Sequence, residues 1–508
     1  MTATLATAAL AGSLLIGASG PSGAHGRPDP GKDARQLAAK LVKESSAASA
    51  HKHLRALQAI ADANDGNRSA GSSGHDRSAE YVASLLRHAG YRVSLQTFDF
   101  FSSHTSAQTL SVVSPDPRAV DIFAMTFSKS TPAGGLTAPI AAVPVDADTT
   151  SGCDAADYAG TDYTGKIALV SRGGCTFLQK QGAAADAGAA AAIVWNNVPG
   201  ALNGTLGDAT AVRIPTGGVS QADGQALAAA AAAGTVTVTM DLQVTVEQAT
   251  TSNVIAETRD GDPDNVAMFG AHLDSVAEGP GINDNGSGSA GLIEVALDLA
   301  KQEKKPRDKV RFAWWSAEEL GLVGSTEYVN RLTEEQAAQI SLYLNFDMIA
   351  SPNYGLFVYD GDDSDAVGSG PGPEGSAQLE RGITDFMDAA GYPHAGTDFT
   401  GRSDYGPFIA VGIPSGGTFT GAEGVKTAAE AAVFGGTAGV AYDSCYHQAC
   451  DTIDNISMPA FDANIDVIAN AVGTYAHDQS ALTSPAAKAA TTGSTTGGGL
   501  HEGQGVTR

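Results

Sequence analysis

The sequence predicts an α/β fold, with a mixed, mostly parallel central sheet sandwiched by helices and a β-rich segment inserted into it. Three observations point there. From about Glu247 onward, apolar runs of strand length alternate with helical runs, and continuous apolar strands separated by helices imply a sheet covered on both faces. Between about Ser106 and Val246 the composition shifts to alanine, glycine and valine, and no histidine occurs from Thr105 to Ala271. The polar residues able to do chemistry follow the predicted strands of the C-terminal part, where open α/β sheets bind ligands.

Taken in order, the first 24 residues carry no charge. The run "LATAALAGSLLIGA", Leu5–Ala18, has the length of a signal-peptide core and is too short to span a bilayer. "SGA" at Ser22–Ala24 supplies small residues for cleavage, although no Lys or Arg precedes the core. Residues 1–24 are therefore expected to be a signal peptide, and the mature chain to be secreted and extracellular. Ala34–Ala63 shows helical spacing of apolar residues, "SAEYVASLLRHAGY" (Ser78–Tyr91) is an amphipathic helix ended by Gly90, and "RVSLQTFDF" (Arg92–Phe100) alternates like a strand. In the altered segment, the strands "KIALVSR" and "TVTVTMDLQVTV" flank an alanine-rich helix at "KQGAAADAGAAAA". Beyond it, "NVAMFGAHLDS", "KVRFAWWSAEE" and "AQISLYLNFDMIA" read as strands, and "AGLIEVALDLAKQ" and "GITDFMDAAGY" as helices. The expected division is a discontinuous α/β domain over 35–105 and 246–480, an insert over 106–245, and a low-complexity tail over 482–508.

Bulk properties bound the partners. A chain of 508 residues implies more than one folded unit, and 43% hydrophobic residues are enough for large cores. The net charge of -26 repels nucleic acid and anionic membranes and favours cationic groups such as a peptide amino terminus. Four cysteines in an exported chain suggest two disulfides. Their grouping favours Cys153–Cys175 and Cys445–Cys450 among the three possible pairings.

His272 and Asp274 follow one predicted strand, and Asp284 lies in the next loop, "INDNG". Glu318 and Glu319 follow a second strand, Asp347 a third, and His447 follows "AYDSCY". Singly, each has an ordinary role as a helix cap or a solvated helix start. Together they hold the donors for two zinc ions sharing one bridging carboxylate, since imidazole and carboxylate suit zinc.

The motifs "GAHLDS", "GINDNGSGSAG", "RFAWWSAEELGLVGS", "YLNFDMI", "GRSDYGPF", "GGTFTGAEGVKT" and "CYHQACDTIDNI" occur in one order. In them the chain resembles the secreted bacterial double-zinc aminopeptidases, the leucine-aminopeptidase type related to glutamate carboxypeptidase and the transferrin receptor. The insert, with "GGCTF", resembles a protease-associated domain. The resemblance implies a zinc-dependent exopeptidase that removes N-terminal, preferably apolar, residues from peptides with a free amino terminus. It implies His272 and Asp347 as ligands of one zinc, Glu319 and His447 of the other, and Asp284 as the bridge. Glu318 matches the general base, Tyr446 the oxyanion stabiliser, and Asp274 the group that orients His272. It implies a cis peptide bond beside Asp284, and calcium at Asp462 and Asp466, with Glu44 near a third position where relatives carry an aspartate. The segment from Arg402 to Phe419 is expected to shape the side-chain pocket, and a monomer is expected. The alternatives are a carboxypeptidase or dipeptidase on the same scaffold, and a non-enzymatic binding protein.

Overall fold

The computed structural model describes residues 29–145 and 151–483. The expected signal peptide lies outside the described residues, and so does the expected tail except for its start in the turn Ser480–Thr483. Among the described residues, no helix is long and apolar enough to cross a membrane.

The chain opens with helices rather than the single helical run read over Ala34–Ala63. Pro30–Glu44 and Ala47–Asp62 are separate, because Ser45 is extended and Ser46 caps the second helix by accepting the Ser49 N–H. The buried Ser45 hydroxyl donates to Asp298 at 2.9 Å, so the break is held by a tertiary contact that the apolar periodicity hides. The next helix, Ser73–Ala89, ends at left-handed Gly90. Strand β1 then runs from Arg92 to Ser114, far beyond the expected Phe100.

Within the insert lie β2 (Arg118–Val120), β3 (Phe123–Ala124), β4 (Leu136–Ala142), β5 (Ile167–Ser171), β6 (Ala191–Trp195) and β7 (Thr216–Val219). The alanine-rich helix is shorter than its composition suggests. It spans Phe177–Asp186, the chain turns at Gly188 (φ +87°), and the remaining alanines enter β6. Alanine favours helix, but between two parallel neighbours a fully buried strand accepts it. Strand β8 (Thr237–Glu257) returns antiparallel to β1 along almost its whole length, with a register shift between Thr105 and Ala107.

The remaining strands are β9 (Asp262–His272), β10 (Asp308–Trp315), β11 (Ile340–Phe346), β12 (Phe357–Tyr359), β13 (Ala395–Thr397) and β14 (Ser415–Phe419). Hydrogen bonding links them in the order β13-β12-β14-β11-β9-β10-β8-β4-β5-β6-β7-β3. β14, β11, β9 and β10 are mutually parallel, while β8 joins β10 antiparallel through Val254–Glu257 and β4 through Thr237–Met240. One strand therefore joins the two halves of a continuous sheet. Alternation along β10 shows how the catalytic sheet is covered. Phe312 and Trp314 face the N-terminal helices and the buried helix Gly288–Ala300, while Ala313 and Trp315 face Tyr343 and Phe408. The insert has its own cores, around Ile167, Leu169, Ile193 and Leu227 on one face and Tyr163, Val170 and Ala184 on the other.

Candidate active site

The parallel strands deliver the candidate residues to one edge of the sheet. His272 ends β9, Glu318 and Glu319 follow β10, and Asp347 follows β11. Asp284 lies in a tight turn at Ile282–Ser287 that leads into the helix Gly288–Ala300. The Asp284–Asn285 peptide is cis. Close approach explains part of the glycine content: a Cβ on Gly288 would lie 2.1 Å from the Phe346 carbonyl oxygen. Three non-glycine residues here are left-handed, Ala317 just before Glu318, Met348 just after Asp347, and His447 itself. Such backbone is costly and persists where the surroundings enforce it.

The two carboxylate oxygens of Asp284 face different histidines. Oδ1 lies 3.1 Å from His272 Nε2 and Oδ2 lies 3.3 Å from His447 Nε2. On the first side, His272 Nε2 is 3.3 Å from Asp347 Oδ1 and 3.9 Å from Glu318 Oε2. On the second, His447 Nε2 is 2.9 Å from Glu319 Oε2. Asp274 holds this frame from below. Its carbonyl accepts from His272 Nδ1 at 3.1 Å, which fixes the proton there and turns Nε2 to the acids, and its carboxylate accepts the N–H groups of Glu318 and Glu319.

Asp347 ends a chain of buried donors. Trp315 Nε1 donates to the Tyr343 hydroxyl (2.7 Å), Tyr343 to Asn345 Oδ1 (2.9 Å), Asn345 Nδ2 to Ser403 Oγ (2.7 Å), and Ser403 to Asp347 Oδ2. Asn285 ties the turn that carries Asp284 to the same strand end, donating to the Phe346 carbonyl and accepting from the N–H groups of Gly288 and Met348.

Crowding sets the electrostatics. Burial, opposed by His272 and reinforced by Asp404 and Asp347, holds the Glu318 carboxyl well above its ordinary range. Burial and the nearby Asp284 push Glu319 up to about 7. Burial works against a charged His447, but Asp284 and Glu319 push it up to about 11. Burial likewise works against His272, yet Asp347 and Glu318 hold it well above the usual histidine value. Glu319 Oε1 and Asp347 Oδ1 are buried without a hydrogen-bond partner. Excess carboxylate, orphaned oxygens and imidazoles aimed at them form a donor set suited to divalent cations.

Tyr446 stacks on His447, with ring centroids 3.8 Å apart. Its hydroxyl accepts from Arg402 Nη2 at 3.1 Å, and Arg402 also pairs with Glu423 at 2.7 Å. Phe419 ends β14 half-buried beside Phe357. Both expected disulfides, Cys445–Cys450 and Cys153–Cys175, are formed, and the first brackets Tyr446 and His447. The calcium candidates sit elsewhere: Asp462 accepts the Ala47 N–H, Asp466 the Tyr392 hydroxyl and Glu44 the Gln302 amide. The groups of three or more candidate metal ligands among the described residues do not include them.

Several residues at the site carried no role in the sequence reading. Arg68, fully buried, donates to the Leu273, Pro280 and Gly281 carbonyls. Asp451 accepts from the N–H groups of Asn283 and Asp284, and Asn283 donates to Asp443. Asp451 lies within the quoted "CYHQACDTIDNI", directly after Cys450, so its neighbourhood was visible although its function was not. Arg68, far upstream in "GNRSAG", offered no signal.

Comparison with known proteins identifies the family. The family description "Peptidase family M28" matches residues 253–472, and "PA domain" matches residues 136–227. An aminopeptidase of Pseudomonas aeruginosa is 46% identical over 431 residues, covering 82% of this chain and 78% of that protein. Among solved structures, an aminopeptidase from Aneurinibacillus sp. strain AM-1 superposes with a TM-score of 0.69 at 30% identity, covering 86% of this chain and 95% of that one. A zinc aminopeptidase from Bacillus subtilis gives 0.57 at 27% identity, covering 84% and 94%. With likeness of this extent running through the sheet, the strand ends and the insert alike, the chain belongs to peptidase family M28 and carries a PA domain.

Proposed function

We propose that the protein is an exported aminopeptidase that uses two zinc ions to remove N-terminal, preferably apolar, residues from peptides. The observation that carries this reading is the Asp284 carboxylate, whose two oxygens face two separate imidazole–carboxylate groups. His272 and Asp347 would hold one ion, Glu319 and His447 the other, with Asp284 between them. The names of the similar proteins, aminopeptidases and in one case a zinc aminopeptidase, support the same reading. Bound zinc would supply Lewis-acid polarisation of the scissile carbonyl and lower the pKa of the attacking water.

The chain's own groups do the rest. Glu318, whose Oε2 lies 3.9 Å from His272 Nε2, takes the proton of the attacking water and passes it to the leaving amine. Arg402 donates to the Tyr446 oxygen, which leaves the phenol proton free to bond the developing oxyanion. Glu318 and Asp347 offer negative charge to the substrate's ammonium group, and Phe419 an apolar wall to its first side chain. A terminal carboxylate would need a cationic receptor. Arg402 is already engaged by Glu423 and Tyr446, and Lys426 is buried against the Tyr354 and Gly435 carbonyls, which disfavours a carboxypeptidase. The catalytic part is assigned to 35–105 and 246–480 and the insert to 106–245, a division supported by the register shift at Thr105/Ala107. The charge-free leader and the two disulfides support export.

The test is a panel of aminoacyl-anilides run beside blocked peptides, with zinc counted in the same preparation. Two zinc ions per chain, cleavage of Leu, Phe and Met substrates, loss of cleavage on N-acetylation and indifference to C-terminal amidation are expected. Equal cleavage of acetylated and free peptides would overturn the assignment.

A further inference from the structure

The loop that carries Asp284 is gripped from two sides by opposite charges. Along one side, Arg68 Nε donates to the Pro280 carbonyl at 2.9 Å and Nη2 to the Gly281 carbonyl at 2.6 Å, while Nη1 reaches the carbonyl of Leu273, the residue after His272. Along the other, the N–H groups of Asn283 and Asp284 donate to the two oxygens of Asp451, at 2.8 and 2.9 Å, and the Ile282 N–H donates to the Asp451 carbonyl at 3.1 Å. Carbonyls therefore point at a cation and amide hydrogens at an anion, so the peptide dipoles of this short loop are aligned by both ends. Besides this loop, Arg68 lies among Asp274, Asp451, Asp284 and Glu319, whose charges favour its own, and Asp451 Oδ1 also accepts from Asn455 Nδ2 at 3.1 Å. Arg68 is fully buried, and Asp451 is 2% exposed. The loop cannot retreat from the grip. Gly281 is left-handed at φ +59°, and a Cβ on Gly279 would lie 2.4 Å from the Gln448 carbonyl oxygen. The backbone of Arg68 is itself fixed, its N–H donating to the Ser275 hydroxyl at 2.9 Å.

We infer that Arg68 and Asp451 are paired positioning residues that lock the 279–285 loop, so that the Asp284 carboxylate presents one oxygen to each half of the site. This rests on the reading of the site as a two-zinc centre. Because Arg68 also holds the Leu273 carbonyl, it sets the spacing between the bridge and the neighbouring ligand His272. Asp451 follows Cys450, so the turn that carries His447 and the loop that carries Asp284 are fastened to each other through it. The contacts to this loop run to its backbone, and their effect on chemistry passes through Asp284 and His272.

The test uses the full chain with Arg68→Lys, Asp451→Asn and the double variant. Lysine keeps the charge and loses the planar fork, while asparagine keeps the shape and must present an N–H to an N–H. Zinc affinity is read by chelator competition, with kcat and KM measured at saturating zinc. Each single variant should bind zinc about 10–100-fold more weakly, the scale of losses seen when groups behind metal ligands are removed. The residual defect at saturating zinc should fall on kcat, with KM nearly unchanged. The double variant should lose little more than the worse single one, since both act through one loop. Wild-type zinc affinity in folded variants, even with a lowered Tm, would overturn the inference by reducing the pair to a purely structural role. Should neither single variant fold, Ser275→Ala, which removes the hydroxyl that accepts the Arg68 N–H and donates to the Gly279 carbonyl, decides on the same readout: unchanged zinc affinity overturns the inference. A wild-type chain that binds no zinc would instead defeat the functional reading, whereas a wild type that binds two ions as tightly as its variants defeats this inference alone.

Discussion

The catalytic sheet and the sheet of the insert are built to one plan and finish differently. Each has a run of parallel strands, β14-β11-β9-β10 in the first and β4-β5-β6-β7 in the second, and each hangs on the ribbon of β1 and β8. In the catalytic sheet the strand ends carry an imidazole and carboxylates packed within ion-pairing distance. In the insert the corresponding ends close on themselves. Arg172 after β5 donates to Asn196 after β6, and Ser220 after β7 caps the helix Gln221–Ala233. Among the described residues, no group of candidate metal ligands falls within the insert. The layered architecture thus supplies an edge, and the few residues that follow each strand decide whether the edge does chemistry.

Substitutions at the two edges should separate this contrast, and the largest effect belongs to the catalytic one. With proton transfer as its proposed role, Glu318→Ala should keep fold and zinc and should cut kcat roughly 10²–10⁴-fold. Stopped assays with zinc counted in the same sample would show it, and near-normal turnover in zinc-loaded protein would remove Glu318 from the mechanism. Next comes the disulfide at the site. Replacing Cys445 and Cys450 by serine should cost roughly 2–4 kcal/mol, less with zinc bound, and should lower activity as well as Tm, since the bridge brackets Tyr446 and His447. The contrast sharpens with Gly224→Val in the insert. A Cβ there would lie 2.0 Å from the Trp195 Cβ, so the insert should lose about 1–3 kcal/mol in thermal or denaturant unfolding while kcat/KM on a small anilide stays at the wild-type value. Excision of the insert should also touch catalysis only slightly. Joining β1 to β8 by a short turn in place of residues 107–241 should leave small-substrate activity within a few-fold of the parent. Loss of that activity in a folded product would mean that the insert takes part in catalysis.

The sequence carried different parts of this molecule with different clarity. Buried parallel strands read as continuous apolar runs, so β9, β10 and β11 stood out, and the polar residues just beyond them could be collected as one group. Elements whose limits depend on distant partners did not. The length of β1 follows from pairing with β8, more than a hundred residues away, and the split at Ser45–Ser46 follows from a hydroxyl bonded to Asp298. Ala191 and Ala192 read as helix by composition and turned into strand because parallel neighbours enclose them. Within the site, groups that point at one another by charge were recoverable. Arg68 and Asp451 were not, because they act on backbone carbonyls and amides, which leave no mark in the sequence.

The shared strand β8 also bears on how the chain reaches its native state. Pairing Arg92 with Glu257 closes a loop that contains the entire insert, and contacts so distant in sequence are slow to form because chain entropy must be surrendered first. The insert has its own apolar cores, so it can collapse as a unit and bring the distal ends of β1 and β8 side by side. From there the ribbon can zip toward the catalytic sheet one residue pair at a time, each step closing only a small additional loop. By collapsing first, the insert offsets the chain length it adds, and β10 receives a neighbour that arrives already paired.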